Sequence, residues 1–186
     1  MLHRIFIAVN LPEEIKEKLF SFTKKYSSIP AKWVEKENIH ITVLFLGKLD
    51  DNQLLETIQS AKQVLKNYEP FLVDIKQLAY GPDNKFPPRL IWAEVNKSKE
   101  FSVLKNNLEN TIFNLPEYKY KTKEGKGFNP HITIARIKNF EFQAMADRPE
   151  IEISLNMPFE VNSIDIMESV LTKKGPEYTI LESINL

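Results

Sequence analysis

The stretches "NIHITVLF" (residues 38–45) and "NPHITIAR" (residues 129–136) decide the fold of this chain. The sequence contains three histidines, and two of them begin the same tripeptide, His-Ile-Thr. Both stretches are short runs of β-branched and other apolar residues, which is typical of buried strands. A strand motif that occurs twice in one chain predicts two related lobes, each contributing one such strand to a shared centre.

The repeat extends beyond the tripeptide. The run "RIFIAVNLPEEIKEKL" from Arg4 resembles "RLIWAEVNKSKEFSVLKNNL" from Arg89. In both, an apolar strand leads into a helix, and a His-Ile-Thr strand follows. The pattern therefore predicts two related lobes of α+β structure.

Three amphipathic helices are predicted from apolar residues at helical spacing. The first covers residues 12–27, the second begins after Asp50 and Asp51, and the third begins after Ser98. Asp and Ser favour the position before a helix because their side chains accept hydrogen bonds from free N–H groups of the first turn. These capping signals place the starts of the second and third helices.

Composition excludes several classes of protein and site. The formal net charge is zero, so a nucleic-acid ligand would have to be held by a local basic patch rather than by a global field. The absence of cysteine excludes disulfides, thiolate nucleophiles and zinc–thiolate sites. The N-terminal run lacks the features of a signal peptide, and no apolar stretch approaches the roughly 18 residues of a membrane span. We therefore expect a soluble, cytoplasmic protein with no membrane partner.

The two His-x-Thr pairs place polar groups on one face of each strand. Strand side chains alternate between faces, so His40 and Thr42 point one way and Ile41 points the other. The same holds for His131 and Thr133. If the lobes are related by an approximate two-fold axis, two imidazoles and two hydroxyls converge across a groove.

This set of side chains suits displacement at phosphorus. The unperturbed pKa of histidine, about 6.5, allows one imidazole to act as base and the other as acid near neutral pH. Threonine hydroxyls can donate hydrogen bonds to the oxygens of an anion held between the rings. A metal site is disfavoured, because neither motif contains a carboxylate and two histidines fall short of a catalytic zinc site.

A structural role is the alternative for each pair. A lone histidine in a strand is most often a hydrogen-bonded structural residue. Duplication of the polar pair together with its apolar neighbours favours catalysis, because a purely structural strand would need to keep only the apolar residues.

These motifs resemble the two-histidine (2H) phosphoesterase superfamily, and within it the RNA 2′,3′-cyclic phosphodiesterases, also called 2′-5′ RNA ligases. The resemblance covers nearly the whole chain through "RIFIAVNLP", "WVEKENIHITVLFLGKL", "PPRLIWAEV", "FNPHITIARIK" and "ESVLTKKGPEYTIL". It implies one bilobal domain over residues 1–186, with two antiparallel sheets lining a central cleft and helices packed outside.

The resemblance also implies a reaction and a site. The expected reaction is hydrolysis of an RNA 2′,3′-cyclic phosphate end to a 2′-phosphomonoester, without metal or other cofactor, and reversal of such chemistry would join 2′-5′ linkages. By carry-over, His40 is the general acid that protonates the departing 3′-oxygen and His131 is the general base that activates water. Thr42 and Thr133 hold the non-bridging oxygens. The order of acid and base stays open, because a near-symmetric site can run in either direction.

Two further positions come from the family pattern. Arg136 matches an arginine that contacts the phosphate, and Phe45 matches an aromatic residue that stacks on a base. Strict alternation would put both on the face opposite their histidines, so they reach the cleft only if each strand twists or bulges. For Phe45 a place in the core is the alternative.

Other residues are candidates without a motif. Trp33, Tyr178 and Lys174 are candidates for the cleft, with burial favoured for Trp33. Arg4 and Arg89 occupy equivalent places in the repeat, which fits either cleft charge or a structural ion pair. One loop carries lysines that could follow an RNA backbone or simply be solvated, namely Lys119, Lys121, Lys123 and Lys126.

Three functional hypotheses follow. The leading one is a monomeric phosphodiesterase whose partner is RNA with a 2′,3′-cyclic phosphate end, with tRNA fragments among the candidate substrates. The second is a phosphodiesterase on a small cyclic nucleotide or a 2′-5′ oligonucleotide. The third is an RNA-binding module without turnover, for which replacement of either histidine would leave binding unchanged.

Overall fold

Nine strands and four α-helices make up the regular structure in the described part of the chain. The structure of the protein, a computed structural model, describes residues 1–82, 86–118, 128–173 and 175–186. The helices are α1 (Glu13–Lys25), α2 (Asp51–Leu65), α3 (Lys99–Phe113) and α4 (Asn139–Gln143). The strands are β1 (His3–Asn10), β2 (Ala31–Trp33), β3 (His40–Leu49), β4 (Phe71–Gly81), β5 (Leu90–Val95), β6 (His131–Ile137), β7 (Glu152–Val161), β8 (Ser163–Leu171) and β9 (Pro176–Asn185).

The strands form one antiparallel sheet in the order β7-β4-β5-β6-β3-β1-β8-β9, with β2 paired to β6. The two His-Ile-Thr strands, β3 and β6, meet at the middle of this order, and their register pairs Ile41 with Ile132. The α+β class is confirmed, and the two expected sheets are two four-stranded halves of one continuous sheet. Joining them leaves fewer unpaired edge N–H and C=O groups than two separate sheets would have.

The two halves repeat one arrangement. In the first, β1 leads through α1 to the neighbouring strand of the same half, β3. In the second, β5 leads through α3 to β6, which pairs with β5 in the same way. β8 and β4 then occupy equivalent places beside β1 and β5. The predicted internal repeat is thus confirmed at the level of topology.

The predicted helix starts match the structure closely. The Asp50 carboxylate accepts a hydrogen bond from the Gln53 N–H at 2.9 Å, and the Gln53 side chain accepts one from the Asp50 N–H at 3.0 Å. This reciprocal capping box satisfies two backbone donors of the first turn. Ser98 Oγ accepts from the Phe101 N–H at 3.0 Å and begins α3 in the same way.

The apolar stripes of the helices bury one face of the sheet. The predicted stripe of α3 is fully buried, and full burial of each such side chain contributes about 1.5–3 kcal/mol to stability. Its members are Phe101, Leu104, Leu108 and Ile112. The main core runs between these helices and the inward-facing residues of both halves of the sheet.

The opposite face of the sheet carries a much smaller apolar cluster. Phe6, Ala8 and Met167 are buried there, and Tyr178 packs against them. Phe6 and Ala8 alternate along β1 with core residues such as Ile5 and Ile7, so the first strand contributes to both faces.

Two short elements were not predicted from the sequence, the three-residue strand β2 and the five-residue helix α4. Each is too short to show a clear apolar period. Among the described helices, none is long and apolar enough to cross a membrane.

Candidate active site

A cleft of about 720 Å³ opens on the sheet face that carries the smaller cluster. Both predicted pairs line it: His40 and Thr42 from β3, and His131 and Thr133 from β6. Each pair flanks one partner of the Ile41–Ile132 junction. The four polar side chains therefore surround the place where the two halves of the sheet meet.

His40 is held in one tautomer by its neighbours. Its Nδ1 lies 2.7 Å from the carbonyl oxygen of Asn38, which can only accept, so Nδ1 carries the proton. In the neutral ring Nε2 is then the acceptor, and the Thr42 hydroxyl lies 3.0 Å from it. The nitrogen next to the threonine is thus the one free to exchange a proton with a ligand.

His131 is anchored by the same device. Its Nδ1 lies 2.9 Å from the carbonyl oxygen of Asn129, which also stands two residues before its histidine. The Nδ1 proton is assigned by the same reasoning, and Nε2 is left as the proton acceptor. The repeated Asn-x-His-x-Thr pattern therefore orients both imidazoles alike.

Burial lowers the pKa of both imidazoles. Loss of hydration lowers the pKa of His40 to about 4, against a smaller raising effect from the Asn38 carbonyl. The positive charges of Lys16 and Arg136, and that of His131 when it is protonated, lower the pKa of His40 further. Loss of hydration also lowers the pKa of His131, with a smaller contribution from Arg136. Both rings are therefore neutral at pH 7, and His40 resists protonation even in moderate acid.

A bulge brings Phe45 onto the cleft face of β3. Ile7 of β1 faces Leu44 while the next residue, Ala8, faces Thr42, so Val43 is an extra residue in the ladder. The bulge reverses the alternation beyond it. Phe45 is 60 % exposed and lines the cleft, which rules out the core alternative.

The matching bulge in β6 does the same for Arg136. Ile91 of β5 faces Ala135 while Trp92 faces Thr133, so Ile134 is the extra residue. Arg136 is exposed and lines the cleft. The bulge that the sequence required for both residues is present at the same step of each repeat.

Aromatic residues surround His40. The Phe6 ring centroid lies 5.0 Å from that of His40, and Tyr178 meets His40 edge-on at 5.2 Å. Tyr178 was a sequence candidate for the cleft, whereas Phe6 was not singled out. An apolar run such as that of β1 does not reveal which of its residues leaves the core face.

A tryptophan packs against His131. The ring centroids of Trp92 and His131 lie 4.7 Å apart, and Trp92 is 5 % exposed. Gly81 makes room for it, because a Cβ at that position would lie 2.3 Å from the Trp92 ring. Trp92 Nε1 is buried and has no hydrogen-bond partner among the described residues. The sequence did not single out Trp92, since it also reads as an ordinary core residue of a strand.

The remaining candidates divide by location. Arg4 lines the cleft, whereas Arg89 does not. The backbone N–H of Arg89 donates to the carbonyl oxygen of Gly81. Trp33 is half-buried, packs against the main core and also lines the cleft. Lys32, which the sequence did not single out, lines the cleft as well. Five candidate lysines lie outside the described residues: Lys119, Lys121, Lys123, Lys126 and Lys174.

The third histidine lies away from the cleft. His3 Nδ1 contacts Glu168 at 2.8 Å, and its Nε2 contacts Asp51 at 2.9 Å. Hydrogen bonds to Asp51 and Glu168 raise the pKa of His3, the opposite of the direction at the cleft histidines. Among the described residues, no group of three or more His, Asp or Glu side chains is placed to hold a metal ion.

Sequence and structure comparisons agree with one another. The sequence model of the LigT-like phosphoesterases matches residues 9–92. The RNA 2′,3′-cyclic phosphodiesterase of Aquifex aeolicus is 31 % identical, with 98 % of this chain and 97 % of that protein aligned. The enzyme of the same name from Methanocaldococcus jannaschii is 29 % identical, over 96 % of this chain and 98 % of that protein. A crystal structure of a Thermus thermophilus protein superposes with a TM-score of 0.84 at 28 % identity, covering 98 % of this chain and 97 % of that one.

Proposed function

We propose, from the premise that this chain belongs to the LigT-like phosphoesterase family, that it hydrolyses RNA 2′,3′-cyclic phosphate ends to 2′-phosphomonoesters. One observation carries the proposal: two histidines, anchored identically through Nδ1, line one cleft at the junction of the two halves. The full-length relatives named RNA 2′,3′-cyclic phosphodiesterases support the choice of substrate.

The proposed reaction is an in-line displacement at the cyclic phosphate. His131 Nε2 removes a proton from water as the water oxygen attacks phosphorus. The bond from phosphorus to the 3′-oxygen breaks, and the 3′-oxygen takes the proton carried by His40 Nε2. The product is a 2′-phosphomonoester with a free 3′-hydroxyl, and the two histidines have exchanged protonation states.

Hydroxyl and guanidinium groups stabilise the negative charge on the non-bridging phosphate oxygens. The Thr42 and Thr133 hydroxyls donate to the non-bridging oxygens, and Thr42 gives up its contact with His40 to do so. Arg136 adds a charge-assisted hydrogen bond to the same group. Phe45, exposed at the wall of the cleft, stacks on the terminal base.

Substrate binding must change the protonation of the site. His40 has a pKa of about 4, so at neutral pH only a small fraction of it carries the proton that a general acid needs. An anion between the rings favours the charged imidazolium and raises both pKa values. The substrate phosphate thereby favours protonation of His40, which then protonates the leaving oxygen.

The same geometry allows joining of RNA ends. A 5′-hydroxyl can take the place of water: His131 Nε2 removes its proton, its oxygen bonds to phosphorus, and the bond to the 3′-oxygen breaks as His40 protonates that oxygen. Joining of 2′-5′ linkages is thus chemically available to the site. The absence of a metal requirement, the cytoplasmic location and the monomeric state are further predictions from the sequence.

The test is product analysis with a defined RNA. An oligoribonucleotide ending in a 2′,3′-cyclic phosphate is incubated with the protein in EDTA, and the phosphomonoester is identified. We expect the 2′-phosphate. A 3′-phosphate product would contradict the assigned leaving oxygen, and loss of activity in the chelator would contradict the metal-free mechanism.

The same assay separates the alternative functions. A small-nucleotide phosphodiesterase would open a cyclic mononucleotide or cut a 2′-5′ dinucleotide while leaving the RNA end intact. An RNA-binding module would retain the RNA unchanged, and His40→Ala would bind it as well as the wild type does.

A further inference from the structure

Two cations stand side by side at one end of the cleft. In the pairing of β2 with β6, Lys32 is directly opposite Arg136. Opposite residues of an antiparallel pair share a face, with Cβ atoms about 4.5–5.5 Å apart, and like charges in this position repel. Both side chains are exposed and line the cleft. An anion between them would convert this repulsion into attraction.

No carboxylate of the described residues neutralises this pair. Glu35 and Glu177 line the same cleft, yet neither forms a salt bridge with Lys32 or Arg136 within the described part of the chain. Elsewhere the chain does pair its lysines, as Lys62 does with a carboxylate of β9 at 3.0 Å. The basic pair therefore keeps its charge available for a ligand.

The Lys32 ammonium is positioned across the cleft. Its Nζ lies 3.1 Å from the place that a Cβ would occupy on Gly175, which has a φ of +145° at the turn between β8 and β9. The same turn is tied to the segment before β3, because the Asn38 side chain donates to the Pro176 carbonyl oxygen at 3.0 Å. Lys32 thus spans the space between the two halves, and a bulkier residue at position 175 would push it aside.

The register places Lys32 at the opposite end of β6 from His131. Arg136 follows His131 by five positions, which is at most about 16 Å of strand at ~3.3 Å per residue. Lys32 stands level with Arg136 on the neighbouring strand. In the proposed reaction Arg136 contacts the phosphate between the histidines, whereas the Lys32 ammonium lies against the turn between β8 and β9, where a longer ligand would extend.

The chemistry of a nucleotide fits this layout. The 2′,3′-cyclic phosphate lies on one edge of the ribose. The base is attached at C1′, and the 5′-phosphate is attached through C5′ at C4′, on the opposite edge. In the cleft, aromatic rings gather beside His40, and Lys32 and Arg136 lie at the far end of β6 from His131. Arg4, from β1, is a third cation in the lining. A base on the aromatic wall directs the 5′-phosphate towards the basic pair.

We propose that Lys32, beside Arg136, binds the phosphate on the 5′ side of the nucleotide whose cyclic phosphate reacts. The inference rests on the proposed function, and it concerns which substrates the site prefers. A positively charged groove that follows the backbone is the usual means of holding single-stranded nucleic acid. The site selects an RNA end, or a 5′-phosphorylated nucleoside, over a nucleoside 2′,3′-cyclic phosphate without a 5′-phosphate.

The test compares two substrates that differ in one phosphate. They are adenosine 2′,3′-cyclic phosphate and its 5′-phosphorylated form, assayed with the wild type, Lys32→Ala, Lys32→Arg and the control Lys18→Ala on the exposed face of α1. We expect Lys32→Ala to lower kcat/KM about tenfold for the 5′-phosphorylated substrate and less than twofold for the other. Lys32→Arg should retain most of the preference, and Lys18→Ala should change neither value.

A binding measurement keeps the inference testable apart from turnover. Adenosine 2′,5′-bisphosphate and adenosine 2′-monophosphate are titrated into the same variants by calorimetry, and Lys32→Ala should weaken binding of the bisphosphate alone. Equal loss for both ligands, or no loss for either, would overturn the 5′-phosphate site. If the wild type binds the bisphosphate preferentially but opens no cyclic phosphate, the proposed function fails and the binding site stands.

Discussion

The two halves of the sheet orient their histidines in the same way but surround them with different residues. His40 and His131 each donate Nδ1–H to the carbonyl oxygen of an asparagine two residues earlier. Each strand then bulges at the same step, which turns Phe45 and Arg136 towards the cleft. The shared features orient each histidine and the residue five positions after it, and they come from the repeated part of the sequence.

The difference lies in what surrounds each imidazole. Phe6 and Tyr178 pack on His40, whereas Trp92 packs on His131. In the registers of the two halves, Ala8 faces Thr42 where Trp92 faces Thr133. The repeat thus supplies a near-symmetric pair of histidines, and the positions at which its two copies differ, together with Tyr178 outside the repeat, supply unsymmetric walls. The two ends of the cleft therefore differ in chemistry.

The largest expected effect is the loss of either proton carrier. His40→Ala and His131→Ala should each lower kcat on an RNA 2′,3′-cyclic phosphate by about 10²–10⁴, the usual contribution of a general acid or base. Single-turnover rates at saturating enzyme measure this loss. His3→Ala, which removes the histidine outside the cleft, should stay near the wild-type rate. A tenfold or smaller loss in one cleft variant alone would show that the two halves are not equivalent in chemistry.

The next effect comes from the two hydroxyls. Thr42→Val and Thr133→Val keep the shape of the side chain and remove the donor, so each should lower kcat by about 10–10². Thr→Ser at either position is the matched control and should recover most of the rate. A normal rate in Thr133→Val together with a slow Thr42→Val would show that only the hydroxyl bonded to its own histidine matters.

A moderate effect is expected from pH. In the free enzyme burial lowers the pKa of both imidazoles below 6.5, that of His40 to about 4. The acid must be protonated, so kcat/KM should fall as pH rises through the higher of the two lowered values, and it should fall in acid once the base is protonated. The optimum of kcat/KM should therefore lie below pH 6.5, with about a tenfold fall per pH unit above it. A profile that is flat or rising between pH 6.5 and 8 would contradict the buried, neutral pair.

The smallest effect on turnover should come from Gly81, which lies against the Trp92 ring in the second half of the sheet. Gly81→Ala would place a Cβ against the Trp92 ring, so we expect a loss of about 1–3 kcal/mol in the free energy of unfolding, measured in urea. Turnover should change only as far as the displaced ring disturbs His131. Trp92→Leu in the Gly81→Ala background should restore part of the stability. If Gly81→Ala alone unfolds no more easily than the wild type, Trp92 is not confined as the structure indicates.

Sequence patterns were sufficient wherever the interaction is local. Asp50 and Ser98 cap their helices because a side-chain oxygen reaches an N–H only three residues away. The face shared by His40 and Thr42 follows from strand alternation over two residues. The resemblance pointed to Phe45 and Arg136, and alternation alone argued against them until the bulges were located.

Patterns failed where the contact joins distant strands. Phe6 and Trp92 read as core residues of apolar strands, and nothing in their neighbourhood marks the face on which they lie. Lys32 belongs to a strand of three residues, which is too short for any period. Its place opposite Arg136 exists only once β2 pairs with β6.

By itself the amino-acid sequence determined the repeat, the helix starts and the two His-x-Thr pairs, since all of these depend on spacing along the chain. Tertiary structure alone decided that the pairs meet at Ile41 and Ile132, that both strands bulge and that burial keeps both imidazoles neutral. The physical reason is that register and loss of hydration are set by neighbours far apart in the chain, and no local pattern records which neighbours those will be.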